Sequence, residues 1–200
     1  MDRQKQYERL AQQCRQGIAA LYGDEAKVVV FGEGSTAARM MLVGEAPGEQ
    51  ETLHRRPFVG KAGQNLDGFL AVLGLSREQL YITNVVKFRP CVYNPDTGRW
   101  RNRPPGKEET MLCLPWLMQE VQLVKPEIIV TLGNVALKAF LGKDASVGVC
   151  HGQLQHWPDA AIFPLYHPAS IIYNRSLQTV YDADLQALSR VLDKNKERVT

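Results

Sequence analysis

The chain has 200 residues, 44% of them apolar and 22% charged, with a formal net charge of +3. That is the composition of a globular protein long enough to close one hydrophobic core, so a single domain over residues 1–200 is expected. No apolar run is long enough to cross a bilayer, and Met1-Asp-Arg-Gln-Lys-Gln lacks the apolar centre of a secretory signal, so no membrane partner and a cytoplasmic location are expected.

At the start of the chain Tyr7, Leu10, Ala11, Cys14, Ile18 and Leu21 recur at helical spacing until Gly23-Asp24 stops the pattern. Short apolar runs at 28–31 and 39–43 predict strands, the second fully buried and ending at Gly44. A helical pattern at 64–73 closes at Gly74, and 80–86 returns as a strand with Asn84 near its carboxyl end. A long polar loop is expected over 89–106. Residues 107–123 follow as a helix, with Glu108 and Glu109 in the first turn, where the helix dipole favours acids. Pro126 precedes a short buried strand at 127–132, and Gly133-Asn134 opens a helix reaching Leu141. Residues 161–165 predict a last strand and 177–192 a last helix.

Strands alternating with helices predict an α/β fold, a three-layer sandwich with a central, mostly parallel sheet flanked by helices. Ligands bind such sheets beyond the carboxyl ends of the strands. That rule gathers four segments: 44–51, the stretch after Asn84, Gly133-Asn134 and 167–170.

Gly44-Glu-Ala-Pro-Gly48 follows a buried strand, and its glycines let the backbone turn tightly and approach a ligand. A phosphate cradle is the generic use of such a loop, but the G-x-x-x-x-G-K-[ST] spacing is absent and Gly32-Glu-Gly34 lacks the remaining glycine. Glu45, Glu49 and Glu51 would also repel phosphate, so a neutral polar ligand fits better. Phe58 lies in Arg56-Pro-Phe-Val-Gly-Lys-Ala-Gly63, where an aromatic can either pack into the core or stack on a planar base. Asn84 carries a donor and an acceptor on one amide, matching the edge of a pyrimidine carbonyl and imide. His167 can donate to an oxygen on which charge builds as a bond breaks.

Between Val86 and Glu108 the cations Lys87, Arg89, Arg99, Arg101, Arg103 and Lys107 face a single acid, Asp96, with Trp100 among the arginines. Such a cluster suits a phosphate backbone and equally a solvated basic loop. The four cysteines, Cys14, Cys91, Cys113 and Cys150, form no C-x-x-C pair and read as reduced thiols rather than a zinc knuckle or disulfide framework.

Gly44-Glu-Ala-Pro-Gly-Glu-Gln-Glu51, Arg56-Pro-Phe-Val-Gly-Lys-Ala-Gly-Gln64, Thr83-Asn-Val-Val-Lys87 and His167-Pro-Ala169, taken in order, resemble the successive motifs of the family 4 uracil-DNA glycosylases. The likeness runs from about Cys14 to Arg175. It implies an enzyme acting on DNA, single or double stranded, that flips deoxyuridine out and hydrolyses the N-glycosidic bond to leave an abasic site. Phe58 would stack on the uracil and Asn84 would read its polar edge. Glu51 would stand near C5 and exclude the methyl of thymine, and His167 would stabilise the developing uracil anion at O2. Glu45 and the backbone around Ala46 would lie beside the sugar and its attacking water. In the best-known relatives outside this family an aspartate takes the place of Ala46 and positions that water. Ile171 would wedge into the gap left by the flipped base, and Arg175 would hold a neighbouring phosphate. A monomer suits an enzyme that tracks along DNA.

Typical members of the family also bind a four-iron, four-sulfur cluster. Cys14 and Cys113 match the first and last ligand positions, whereas the second is Gly17 and the third Phe88. Two thiolates cannot complete a four-ligand cluster, so neither a cluster nor another metal is expected. The chain also carries an insertion at 92–103 that contains no histidine for covalent trapping of the sugar, and its Arg99, Arg101 and Arg103 are expected to contact phosphates. Two other functions stay open: a glycosylase with altered base preference, for hypoxanthine or xanthine, and a catalytically silent DNA-binding homologue. Retention of Glu51, Phe58, Asn84 and His167 together argues against the second.

Overall fold

The computed structural model describes residues 2–23 and 27–197, with side chains through residue 193; Met1 and Asp24, which enter two of the expectations above, lie outside the described residues. The central sheet has six strands in the order β1 (Glu33–Gly34), β3 (Tyr81–Asn84), β2 (Met40–Gly44), β6 (Ile128–Leu132), β8 (Ala160–Leu165) and β7 (Gln155–Trp157). The four inner strands run parallel, and only the edge strands β1 and β7 are antiparallel to their neighbours. This is the expected mostly parallel sheet.

Alternation along the inner strands builds the layers. Met41, Val43, Tyr81, Ile129 and Ile162 enter one apolar core, with α1 (Arg3–Tyr22), α4 (Lys107–Val124) and α5 (Asn134–Leu141) packed on it. Met40, Leu42, Ile82, Val130, Phe163 and Leu165 face the other way, under α3 (Lys61–Val72) and α8 (Leu177–Glu197). Successive strand residues point to opposite faces, so a strand covered on both sides reads as an unbroken apolar run. In α1 the buried stripe is Leu10, Ala11, Cys14 and Ile18, while Leu21 is exposed.

Two local expectations fail. Residues 28–31 make only one antiparallel bridge, Val29 to Phe88, and the edge strand forms further on, where Glu33 pairs with Ile82. Between them the N–H of Gly32 leaves the ladder to reach the buried Glu120 carboxylate, at 3.1 Å from Oε1. The polar stretch at 89–106 is not a plain loop: β4 (Cys91–Asn94) and β5 (Arg99–Asn102) form a hairpin apart from the main sheet. Its turn is built by the Asn94 side chain, which accepts from the N–H groups of Asp96 (2.9 Å) and Thr97 (3.3 Å), followed by Gly98 at φ 64°. Two short helices absent from the apolar pattern flank the carboxyl edge of the sheet, α2 (Glu49–His54) and α7 (Pro168–Tyr173), and a further short helix, α6 (Val147–Cys150), follows α5. Among the described residues no helix is long and apolar enough to cross a membrane.

Candidate active site

The parallel strands end together, and β2, β3 and β8 each deliver part of one site. Gly44 closes β2, Asn84 closes β3 beside it, and His167 follows β8. A side chain on Gly44 would strike both the Phe58 ring and the Asn84 amide oxygen, so glycine is required for those two groups to converge over the backbone. Gly133, at φ 88°, passes beneath His167, and a Cβ there would come within 3.2 Å of the histidine Cβ. Its neighbour Asn134 turns away and accepts from the Val147 N–H at 2.9 Å, so it serves the fold and not the site.

Ala46, Glu51, Phe58, Asn84 and His167 line one cavity of about 440 Å³. That volume lies within the range of small-molecule sites. Asn84 is buried, yet its side-chain amide has no hydrogen-bond partner among the described residues, leaving donor and acceptor for a ligand. Its backbone carbonyl is fixed from below by the Lys87 ammonium at 2.6 Å. Lys87 is itself fully buried, paired with Glu120 and donating to the Thr83 hydroxyl at 2.8 Å. Glu120 also accepts from the Tyr81 hydroxyl at 2.9 Å, so every buried charge under Asn84 is matched.

Phe58 is buried and holds a left-handed backbone, φ 53°, rare for a bulky residue and found where surroundings over-determine a conformation. Its carbonyl accepts from Arg77 at 2.5 Å and sits where any side chain on Gly63 would be. Glu51 completes the clamp. One carboxylate oxygen accepts from the N–H groups of Val59 (3.0 Å) and Gly60 (2.7 Å), and the other from Gly48 at 3.1 Å. The carboxylate expected to face C5 of a base thus accepts from three backbone N–H groups, and it ties the first turn of α2 to the loop carrying Phe58.

The His167 ring lies 27° from parallel to Phe58, centroids 6.2 Å apart. Its Nδ1 accepts from the Ala169 N–H at 3.2 Å, which puts the proton of the neutral ring on Nε2. Burial lowers the pKa of His167 below the usual histidine value, opposed only by the Glu51 charge. The site therefore holds a neutral imidazole with one N–H to give. The loop is steadied by Asn65, whose amide donates to the Pro168 carbonyl at 3.1 Å.

Other predicted residues fall outside the cavity wall. Glu45 is half-buried, and desolvation raises its carboxyl above the usual range. Ile171 leans on the core under α8, whereas Tyr173, two residues on, is 89% exposed and lines the cavity mouth. Arg175 is exposed beyond the end of α7. Arg99 and Arg101 are exposed on β5, but Arg103 is not free: its two terminal nitrogens donate to the Glu109 carboxylate at 2.7 and 2.8 Å. Arg103 thereby anchors the hairpin to α4, while Arg99 and Arg101 are the exposed members of the trio.

Sequence reasoning missed Asn102, Lys61 and Tyr173, which also line the cavity. Lys61 stood within the quoted Phe58 motif and could have been singled out there. Asn102 gave no signal, because its place depends on the hairpin register and on Arg89. That arginine donates to the Asn102 side-chain oxygen at 2.7 Å and pairs with Glu49 at 3.2 Å.

The residues at the cluster positions do not fit a cluster. Cys14 and Cys113 share a fully buried core with Phe88, whose ring meets Tyr22 edge-on at 5.4 Å and lies under Lys27 at 5.1 Å. A Cβ on Gly17 would come within 3.1 Å of the Trp116 indole. Burial pushes the Cys14 thiol up to about 12, opposite to what a thiolate ligand needs. Among the described residues no group of three or more His, Cys, Asp or Glu side chains is arranged to hold a metal ion.

Comparison with known proteins agrees with this geometry. Residues 31–189 match the model of the Uracil DNA glycosylase superfamily. The chain is 37% identical to the Type-4 uracil-DNA glycosylase of Saccharolobus solfataricus, over 83% of this chain and 77% of that one. Against the Type-4 uracil-DNA glycosylase of Thermotoga maritima it is 40% identical over 74% and 73%. Against that of Pyrobaculum aerophilum it is 36% identical over 98% and 100%. With the family match running from residue 31 to residue 189 and these relatives 36–40% identical along most of the chain, the protein belongs to the uracil-DNA glycosylase superfamily, together with its type-4 members.

Proposed function

We propose that the protein is a monofunctional uracil-DNA glycosylase, which extrudes deoxyuridine from single- or double-stranded DNA and hydrolyses the bond between uracil N1 and C1′ of the sugar. The observation that carries the proposal is the convergence of the Asn84 amide, the Phe58 ring and His167 over the Gly44 backbone. Uracil stacks on Phe58, and the Asn84 amide pairs with the carbonyl and imide at its far edge. As the bond lengthens, its electron pair passes to the base and charge collects on O2, where the Nε2–H of His167 donates. A neutral donor suits that charge without having to surrender its proton. The sugar passes through an oxocarbenium-like state, water adds to C1′, and the proton it loses returns through solvent to the uracil anion, leaving uracil and an abasic site.

Ala46 cannot hold that water, so stabilising the leaving group supplies most of the rate, with Glu45 assigned to the sugar face. Glu51 acts first by fixing the Phe58 loop and second as the wall that thymine would meet. The same reading has the fold work without an iron-sulfur cluster, Phe88, Tyr22 and Trp116 filling that region.

Incubation with oligonucleotides carrying uracil, hypoxanthine or xanthine, followed by alkaline cleavage at abasic sites, tests the proposal. Strand cleavage only at uracil is expected. Faster release of hypoxanthine would move the substrate, and binding without any abasic product would overturn the proposal in favour of a silent DNA-binding protein.

A further inference from the structure

The inserted hairpin has two chemically different faces. Its register pairs Cys91 with Asn102, Val92 with Arg101, Tyr93 with Trp100 and Asn94 with Arg99. Directly opposed residues share a face, so Tyr93 and Trp100 lie on the side of Asn102, and Arg99 and Arg101 on the other. Asn102 lines the active-site cavity, so the aromatic face continues outward from its rim. The two rings tilt by 59° with centroids 5.3 Å apart, yet they remain 49% (Tyr93) and 56% (Trp100) exposed. Two large aromatics presented to solvent beside a cavity form a stacking surface, and every nucleic acid base has a face to match. The hairpin is held in place from its base: Arg89 joins Asn102 and the Trp100 carbonyl to Glu49 on α2, and Arg103 joins β5 to Glu109 on α4.

We infer that the Tyr93–Trp100 face is a platform on which an unpaired base of single-stranded DNA, next to the extruded nucleotide, stacks. The inference deepens the proposed function by naming the strand form that the site favours, and it rests on that reading for its DNA substrate. The occupant is single-stranded because duplex bases are already stacked on one another and cannot present a face. Arg99 and Arg101, on the opposite side, meet backbone phosphates and take no part in the stacking.

The test uses undamaged DNA, so it stands apart from the excision assay. Titrating the whole protein with a short oligothymidylate should quench tryptophan fluorescence, and Trp100→Phe should abolish the quench while keeping affinity within about twofold, since a ring remains to stack. The double variant Tyr93→Ala/Trp100→Ala should bind the single strand about tenfold more weakly, with duplex affinity within about twofold of the parent. Its slope of log affinity against log salt should match the parent's, because stacking releases no counterions, whereas Arg99→Ala/Arg101→Ala should flatten that slope. Unchanged fluorescence of the parent protein at saturating oligonucleotide would overturn the inference, as would single-strand affinity in the aromatic double variant equal to the parent's. A flattened salt slope in the aromatic double variant would also overturn it, assigning the contact to the cations. Failure of uracil excision with these results intact would remove the proposed function and leave the platform standing.

Discussion

His167 shows how one side chain acquires a task from its surroundings. The Ala169 N–H occupies Nδ1 and burial disfavours the imidazolium, so the ring stays neutral, with Nε2–H free, at a pH where an exposed histidine would be charging. His167→Ala should lower kcat for uracil excision by about 100- to 1,000-fold, the range for removing one donor to a developing anion, with a much smaller effect on binding of uracil-containing DNA. In the parent enzyme the acid limb assigned to His167 should begin below the ordinary histidine pKa. The sign for stability follows: with the folded pKa below the unfolded one, the unfolded chain binds more protons between them, so stability falls as pH drops through that window. Thermal unfolding of parent and His167→Ala across this pH range measures the difference, which should vanish at alkaline pH apart from the packing change. Glu45 runs the other way, since burial raises its carboxyl and ionisation is the disfavoured state. Glu45→Gln should therefore unfold no more easily than the parent at neutral pH, and a lower kcat in that variant would mark Glu45 as a participant in the chemistry.

Among the elements, β3 and the hairpin carry the consequences. The carboxyl end of β3 is set by Lys87, which holds the Asn84 carbonyl while paired with Glu120, both side chains fully buried. Lys87→Met would leave a buried carboxylate without its cation and should destabilise the fold by about 3–5 kcal/mol, measured by urea unfolding. Lys87→Met/Glu120→Gln should recover most of that loss, because the amide keeps an acceptor for the Gly32 N–H and the Tyr81 hydroxyl without carrying charge. In the hairpin, Arg103 belongs to Glu109. Arg103→Ala should lower thermal stability and leave the salt slope of DNA binding unchanged, whereas each of Arg99 and Arg101 that meets a phosphate should reduce the slope by about 1 when replaced by alanine.

At the scale of the molecule, the buried Phe88 ring, with the exposed Tyr22 on its edge and the partly buried Trp116 nearby, stands where the family resemblance places a cluster. The purified protein should be colourless and free of stoichiometric iron, and chelation should leave its melting temperature unchanged, since Phe88 and its neighbours supply apolar packing there. Much of this was legible in the chain itself. The inner strands and long helices follow from apolar runs and helical periodicity, because burial on both faces of a parallel sheet is written into neighbouring residues. The cavity residues Glu51 and Phe58 stand in short motifs whose glycines announce close backbone approach, and Asn84 and His167 stand in short motifs at the carboxyl ends of strands. Signals that depend on distant partners were not legible. The apolar run at 28–31 makes a single bridge, Val29 to Phe88, and Gly32 beyond it turns its N–H to Glu120, 88 residues away in sequence. The hairpin turn at 94–98 carries recognisable Pro-Asp and Gly chemistry, yet only pairing shows that Trp100 and Asn102 share a face while Arg99 and Arg101 leave it. The layers, the chemical groups of the site and the presence of Gly17 and Phe88 where the resemblance places cysteines are written in the chain, because these depend on residue identity and local spacing. What each of those groups touches is visible only in the folded chain: Glu51 accepts from three backbone N–H groups, Arg103 pairs with Glu109 and Ile171 rests against the core, because hydrogen bonds and burial between distant segments engage side chains that look unattached along the chain.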